Sequence, residues 1–320
     1  MHVEEQPIIC VSRCLGFENC RFNGGIVTDS TVDKLNGFVK FITVCPECDI
    51  GLPTPRNALR VVEINGKLHI LDPKNNSDYT DELDLFTNNF IQNLHPIDGF
   101  IFKGRSPSCG IKDVKVYSSP NSKASYAKST GLFTQHILDK YELFPIEDEG
   151  RLMNFKIRET FFTKIFALSE YRKVIEINTL DALVNYHKKN NMLFNSFSAK
   201  GTKELEHIIT ANYRQFPDNL FDNYELVLRS VLSRSPRYTS NIKVLLRALE
   251  YFSKFISAPE KQFILDSINK YRLCQIPLSV PLNIIKAYII RFDINQLKDQ
   301  SFFEPYPSEL VEMRDSGKGI

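Results

Sequence analysis

The sequence predicts two domains of different class, an α/β Rossmann-like domain over residues 1–150 and an all-α domain over residues 151–320. Three observations predict this. A chain of 320 residues suits two compact domains better than one. Up to Gly131, short apolar runs alternate with segments of helical period, and beyond it only the helical period continues. Six of the seven cysteines (Cys10, Cys14, Cys20, Cys45, Cys48 and Cys109) lie in about the first third of the chain, and only Cys274 lies far beyond it.

The elements follow in order. IICVS is a short apolar strand that runs into a glycine-bearing loop ending in FNGG. DSTVDKLNGFV reads as a helix capped by Asp29 or Ser30, with Gly37 near its end. KFITV is the second strand. LRVVEI and KLHIL, separated by Asn65 and Gly66, form a hairpin with a two-residue turn. TDELDLFTNNFIQNL places Leu83, Phe86, Phe90, Ile91 and Leu94 on one helical face. GFIFK is a third strand entering RSPSCG, and VKVY is a further strand. TGLFTQHILDKYELFPIEDEGRL reads as helix and connector. Helices follow at NFKIRETFFTKIFALSEYRKVI, DALVNYHKKNNMLF, TKELEHIITANY, DNYELVLRSVLSR, TSNIKVLLRALEYFSKFI and APEKQFILDSINKYR, and a proline-started one at PLSVPLNIIKAYIIRF. The tail is Pro-rich and then polar, and its last residues are expected to be disordered.

A formal net charge of +2 is too balanced to argue for nucleic-acid or membrane binding by electrostatics alone. The N-terminus, MHVEEQPIICVS, is acidic and its apolar run is too short for a signal peptide. No apolar segment reaches the roughly 18 residues that span a bilayer. The expected location is cytoplasmic, where thiols are not expected to pair as structural disulfides.

Strand, helix, strand, helix, strand is the pattern of a parallel sheet, whose ligands bind beyond the carboxyl ends of the strands. The loops after IICVS, KFITV and GFIFK all leave that edge. They bring Cys14, Cys45 and Cys109 together from distant positions. The CPEC at Cys45–Cys48 admits three readings. A redox dithiol needs a helix starting at the pair, and Gly51, Pro53 and Pro55 oppose one. A structural zinc site needs a second knuckle. Cys14 and Cys20 are too widely spaced to be one, and Cys109 stands alone. Three thiolates from three loops suit a cubane iron–sulfur cluster that leaves one iron open to a soft atom, above all sulfur. Some of the six are expected to be small buried hydrophobes instead.

VSRCLGFENCRFNGG, VCPECDIGLPTPR and GRSPSCGIKDVKVY together resemble the thiouracil desulfidase family. The segments around Tyr186–Phe194, CQIPLSVPL and EPYPSEL resemble the helical domain that many members carry, whose role is poorly understood. The resemblance implies a Rossmann-like 4Fe–4S enzyme that removes sulfur from thiolated pyrimidines. It implies Cys14, Cys45 and Cys109 as the three cluster ligands with one iron open, and Glu47 and Ser106 as the catalytic pair. A soft thiocarbonyl on the open iron would be attacked by water, and Glu47, two residues from a ligand, is placed to carry the proton. Arg21, Arg56 and Arg105 suit planar recognition of the pyrimidine or a phosphate, and Ser108 joins them as a candidate substrate contact. The plainer readings are a turn-capping Glu47, a structural serine in the SPS turn, and surface arginines. Cys48, Asn23 and the CLGF stretch depart from the commonest family form. They make Cys20 an alternative ligand or a persulfide acceptor.

In the helical domain, His187, Lys188, Lys189 and Lys200 suggest a basic surface for a nucleotide or RNA, with a solvated helix face as the plainer reading. His187 and His207 read as structural. The expected substrate is a small thiolated nucleobase, nucleoside or nucleotide. The alternative function is a non-catalytic module, bearing a cluster or zinc, that binds thiolated RNA or a protein.

Overall fold

The computed structural model describes residues 6–94, 96–211, 217 and 219–312. The chain divides into two compact units. The first runs to Ser169 and takes the chain back from Leu310, and the second spans Glu170–Glu309.

The first unit begins with β1 (Ile8–Ser12), α1 (Ser30–Leu35), β2 (Lys40–Val44) and the one-turn helix α2 (Pro46–Asp49). The hairpin of β3 (Arg60–Ile64) and β4 (Lys67–Leu71) follows, then α3 (Thr80–Asn93), β5 (Gly99–Phe102), β6 (Val114–Tyr117) and β7 (Ala127–Ser129). After these come α4 (Leu132–Lys140), β8 (Ile146–Asp148), α5 (Glu149–Leu152) and the long helix α6 (Phe155–Ile177), in which the division between the units falls.

β2, β1, β5 and β8 form a parallel sheet in that order, with Cys10 of β1 opposite Ile42 and Phe100. Continuous apolar runs such as IICVS and GFIF are what a parallel strand needs, since both of its faces are covered. Phe100 and Phe102 are fully buried and pack in edge or tilted contacts with Phe133 and Tyr141. Asp29 caps α1 by accepting the backbone N–H of Thr31 and Val32. The face of α3 expected from its spacing packs inward, with Leu83 buried and Phe86 and Phe90 against Phe133.

The hairpin and VKVY form a second sheet with β7, in the order β4–β3–β6–β7. Asn65 and Gly66, both at positive φ (53° and 78°), make the tight turn that joins β3 to β4. β8, which completes the parallel sheet, was not foreseen. It is three residues long, two of them acidic, and carries no apolar run.

The second unit holds α7 (Leu180–Phe197), α8 (Ala199–Ala211), α9 (Leu220–Leu232), α10 (Tyr238–Phe252), α11 (Ala258–Arg272), α12 (Ser279–Arg291) and α13 (Asn295–Lys298). α11 starts with a capping box between Ser257 and Glu260. α12 begins at Ser279, two residues after the proline expected to start it, and Pro281 sits in its first turn. His187, read as structural as well as a candidate for a basic surface, is buried, and its Nδ1 lies 2.9 Å from the Tyr224 hydroxyl. Burial lowers its pKa from the usual histidine value. The apolar period of α7 puts it in the core, beside the stacked rings of Tyr171 and Tyr224. Lys189 pairs with Glu170 at 2.6 Å. No described helix is long and apolar enough to cross a membrane. The tail expected to be disordered falls outside the described residues.

Candidate metal centre

Cys14, Cys45 and Cys109 follow β1, β2 and β5, three adjacent parallel strands, and so lie beyond one sheet edge. Side chains tie the three loops together. Arg13 donates to both oxygens of Asp49 at 2.8 and 3.0 Å, which joins the first loop to the second. The Ser12 hydroxyl accepts the N–H of Lys103 at 2.9 Å, which joins the first to the third. All three cysteines are buried.

Cys45 is the N-cap of α2, and Pro46 occupies the first helical position, where its missing N–H costs nothing. The helix at CPEC that Gly51, Pro53 and Pro55 made doubtful is therefore present, but only for one turn. Gly51 at φ 92° ends it, and the loop goes on through a cis Thr54–Pro55 bond. Asp49 accepts the N–H of Cys45 at 3.2 Å.

The turn aims Glu47 inward. Its carboxylate is buried and has partners on both oxygens. Arg56 reaches Oε2 with Nε at 2.8 Å and Nη2 at 2.7 Å. The Ser108 hydroxyl donates to Oε1 at 2.8 Å. Ser106 lies one step further out, with its Oγ 3.1 Å from that of Ser108 and accepting the N–H of Cys109 at 3.1 Å. Of the two serines in the SPS turn, Ser108 is thus the one against Glu47. Two residues of spacing cannot tell them apart in sequence; the turn conformation does.

Arg56, expected at substrate oxygens, has all three nitrogens engaged. Its Nη1 donates to the carbonyl of Cys20 at 3.1 Å and reaches the Cys48 sulfur at 3.5 Å. Burial pulls its pKa down, but the charge and hydrogen bonds of Glu47 more than offset this, and it is raised. Arg105 is exposed on a backbone at φ 62°, and Arg21 lies over the Phe22 ring at 5.8 Å. A cleft of about 520 Å³ opens beside Arg56, walled by Pro53, Pro55, Asn57, Asp72 and Tyr79.

Sequence reasoning placed Cys20 only as an alternative, and the structure puts it at the centre. It is 1% exposed and packs with Cys14 and Cys45 into one cluster, with Cys48 against it. The signal was the glycine two residues after Cys14. Gly16 at φ 94° starts the reversal that carries Cys20 back, and Val27 N–H closes the loop onto the Cys14 carbonyl at 2.8 Å. Cys10 belongs to the core of the unit, as a small buried hydrophobe.

The donor set fits a soft-metal group. Cys20 is pushed up to about 12, first by its hydrogen bond to Cys14. Cys45 is raised by its hydrogen bond to Cys20 and by burial, and burial pushes Cys109 up to about 12. Thiols bind a soft metal as thiolates, so loading this site would release their protons. Among the described residues no three His, Cys, Asp or Glu side chains converge as a single ion would require.

Parts of the chain are similar to known proteins. Residues 9–149 match the 2-thiouracil desulfurase family. Residues 191–307 match a second family, of unknown function, DUF1722. The two matches follow one another along the chain, the first over the α/β region and the second over the helical one. It is 28% identical over 156 residues to YbgA, an uncharacterized protein of Escherichia coli (strain K12), an alignment covering 48% of this chain and 92% of the relative. A solved structure of the 4Fe–4S-dependent thiouracil desulfidase TudS is 24% identical, covers 47% of this chain and 93% of its own, and superposes with a TM-score of 0.35.

Proposed function

We propose that the N-terminal unit is a 4Fe–4S-dependent desulfidase that converts a thiolated pyrimidine, of the thiouracil or thiouridine type, to its oxygen form with release of sulfide. Cys14, Cys45 and Cys109 would hold the cluster. When bound, it supplies an open Lewis-acidic iron for the thiocarbonyl sulfur. The observation that carries the reading is the buried Glu47 carboxylate, held between the second and third cysteine loops by Arg56 and Ser108.

The chain's own groups have distinct tasks in this reading. Glu47 takes the proton of the water that attacks the carbon bearing sulfur, and thiocarbonyl plus water become carbonyl plus sulfide with no net electron transfer. Arg56 and Ser108 hold the two carboxylate oxygens in place, so Arg56 is a positioning residue rather than a substrate ligand. Ser106 holds the N–H of Cys109 and extends the chain of hydroxyls from Glu47. Arg21 and Arg105 are the arginines left for the substrate, and the cleft beside Arg56 has the volume range of small-molecule sites. Protein reconstituted anaerobically with iron and sulfide should turn brown and release sulfide from 2-thiouracil. The Glu47→Ala protein should keep the iron and lose turnover. A colourless, iron-free product sinks the reading.

A further inference from the structure

The geometry points to Cys20 as a fourth thiol ligand, available to the iron that Cys14, Cys45 and Cys109 leave open. The inference rests on the cluster reading above and goes beyond its three-cysteine set. A buried cysteine that merely fills space is surrounded by carbon. Cys20 instead meets sulfur, packing with Cys14 and Cys45. The backbone of the same residue anchors the site. The Cys20 carbonyl accepts Nη1 of Arg56 at 3.1 Å, the Cys48 thiol at 3.6 Å and the Cys45 thiol at 3.8 Å. Position and orientation are therefore set from both sides of the residue, by Arg56 and by the CPEC turn.

Cys48 does not share this status. It is half-buried, bonds Thr54 at 3.4 Å and Arg56 at 3.5 Å, and so faces the GLPTPR loop as well as the sulfurs. Of the two cysteines outside the expected ligand set that lie at the site, Cys20 is the one enclosed by candidate ligands. With it bound, all four irons have a cysteine, and Cys20 competes with the substrate's sulfur for the open position. The competition is redox-neutral, because one sulfur takes the place of another and the displaced thiolate takes a proton from water.

The test is made on the full chain, reconstituted anaerobically, without substrate. A cluster with one iron lacking a cysteine loses that iron on mild oxidation and gives the electron paramagnetic resonance signal of a three-iron cluster, whereas four cysteines protect it. Wild type should resist ferricyanide. Cys20→Ala and Cys20→Ser should each convert at least ten-fold faster, and Cys48→Ala should behave as wild type. Wild type that converts readily overturns the proposal whatever the variants do, as do Cys20 variants that convert at the wild-type rate. Failure of every protein to take up iron and sulfide overturns the cluster reading instead. A second readout is steady-state: Cys20→Ala should lower KM for 2-thiouracil relative to wild type, and an unchanged KM counts against competition at the open iron.

Discussion

Arg56 grips one oxygen of Glu47 with two nitrogens, at 2.8 and 2.7 Å, and both side chains are almost wholly removed from solvent. A buried ion pair of this kind is far more sensitive to loss of one partner than to joint replacement of both.

Arg56→Met should therefore destabilise the N-terminal unit by about 3–5 kcal/mol, since it leaves Glu47 unpaired in the interior. Equilibrium denaturation measures this. Arg56→Lys keeps the charge but loses the two-nitrogen grip. It should retain the fold and lower kcat with little change in KM, because the residue positions Glu47 rather than the substrate. A raised KM at normal kcat would return Arg56 to the substrate.

Cys14→Ala, Cys45→Ala and Cys109→Ala should each lower the uptake of iron and sulfide and abolish turnover, read by metal analysis, visible absorption and sulfide release. Cys10→Ala should leave uptake intact and cost only packing, since Cys10 lies in the apolar core. Its volume change is small, and about 1–2 kcal/mol is the scale for such a core deletion. Uptake by Cys109→Ala at the wild-type level would remove the third loop from the site.

Gly131 stands against the Ser106–Gly110 loop. A Cβ there would lie 2.3 Å from the Ser108 carbonyl oxygen and 2.9 Å from the Gly110 nitrogen, both backbone atoms that cannot yield. The N–H groups of Gly131, Leu132 and Thr134 also bond the carbonyls of Gly110, Pro107 and Ser108 at 2.7, 3.1 and 3.2 Å. Gly131→Ala should displace Ser108 and Cys109 together, losing both cluster uptake and turnover while the circular dichroism of the helical unit persists. Normal iron content in that variant would show that the loop tolerates the shift.

His187 couples the helical unit to pH. Burial lowers its pKa below the ordinary 6.5, so the fold favours the neutral ring. The stabilisation is complete above pH 6.5 and is lost as the pH falls from there towards the lower folded-state value. The groups facing the ring are the Tyr224 hydroxyl, the Asn191 amide at 3.4 Å and the Phe194 ring, with the charge of Glu206 acting in the opposite sense. His187→Gln keeps a hydrogen-bonding group but cannot titrate. Its thermal midpoint should fall less than that of wild type between about pH 7 and pH 5. Parallel decline of the two proteins would place the acid sensitivity elsewhere.

Much of this was legible in sequence, and the limits have physical causes. IICVS, KFITV and GFIF are apolar runs bounded by turn residues, and their order made the shared edge of Cys14, Cys45 and Cys109 readable before any coordinates. The two-sheet arrangement was not readable, because strand propensity says which residues extend and not which strands pair. Cys20 was underrated because its place depends on a loop reversal at Gly16, a single backbone dihedral. Arg56 reads in sequence as either a substrate contact or an ion-pair residue, because charge alone does not disclose that Glu47, nine residues earlier, holds it.

The contact of Gly131 with the SPSCG loop also orders events in time. A ribosome releases Cys14 and Cys45 long before Gly131, and Cys109 acquires its backing only once α4 has been made and has docked behind it. The loop that carries Cys109 is therefore complete only once synthesis has passed Lys140, although Cys109 itself is made some thirty residues earlier.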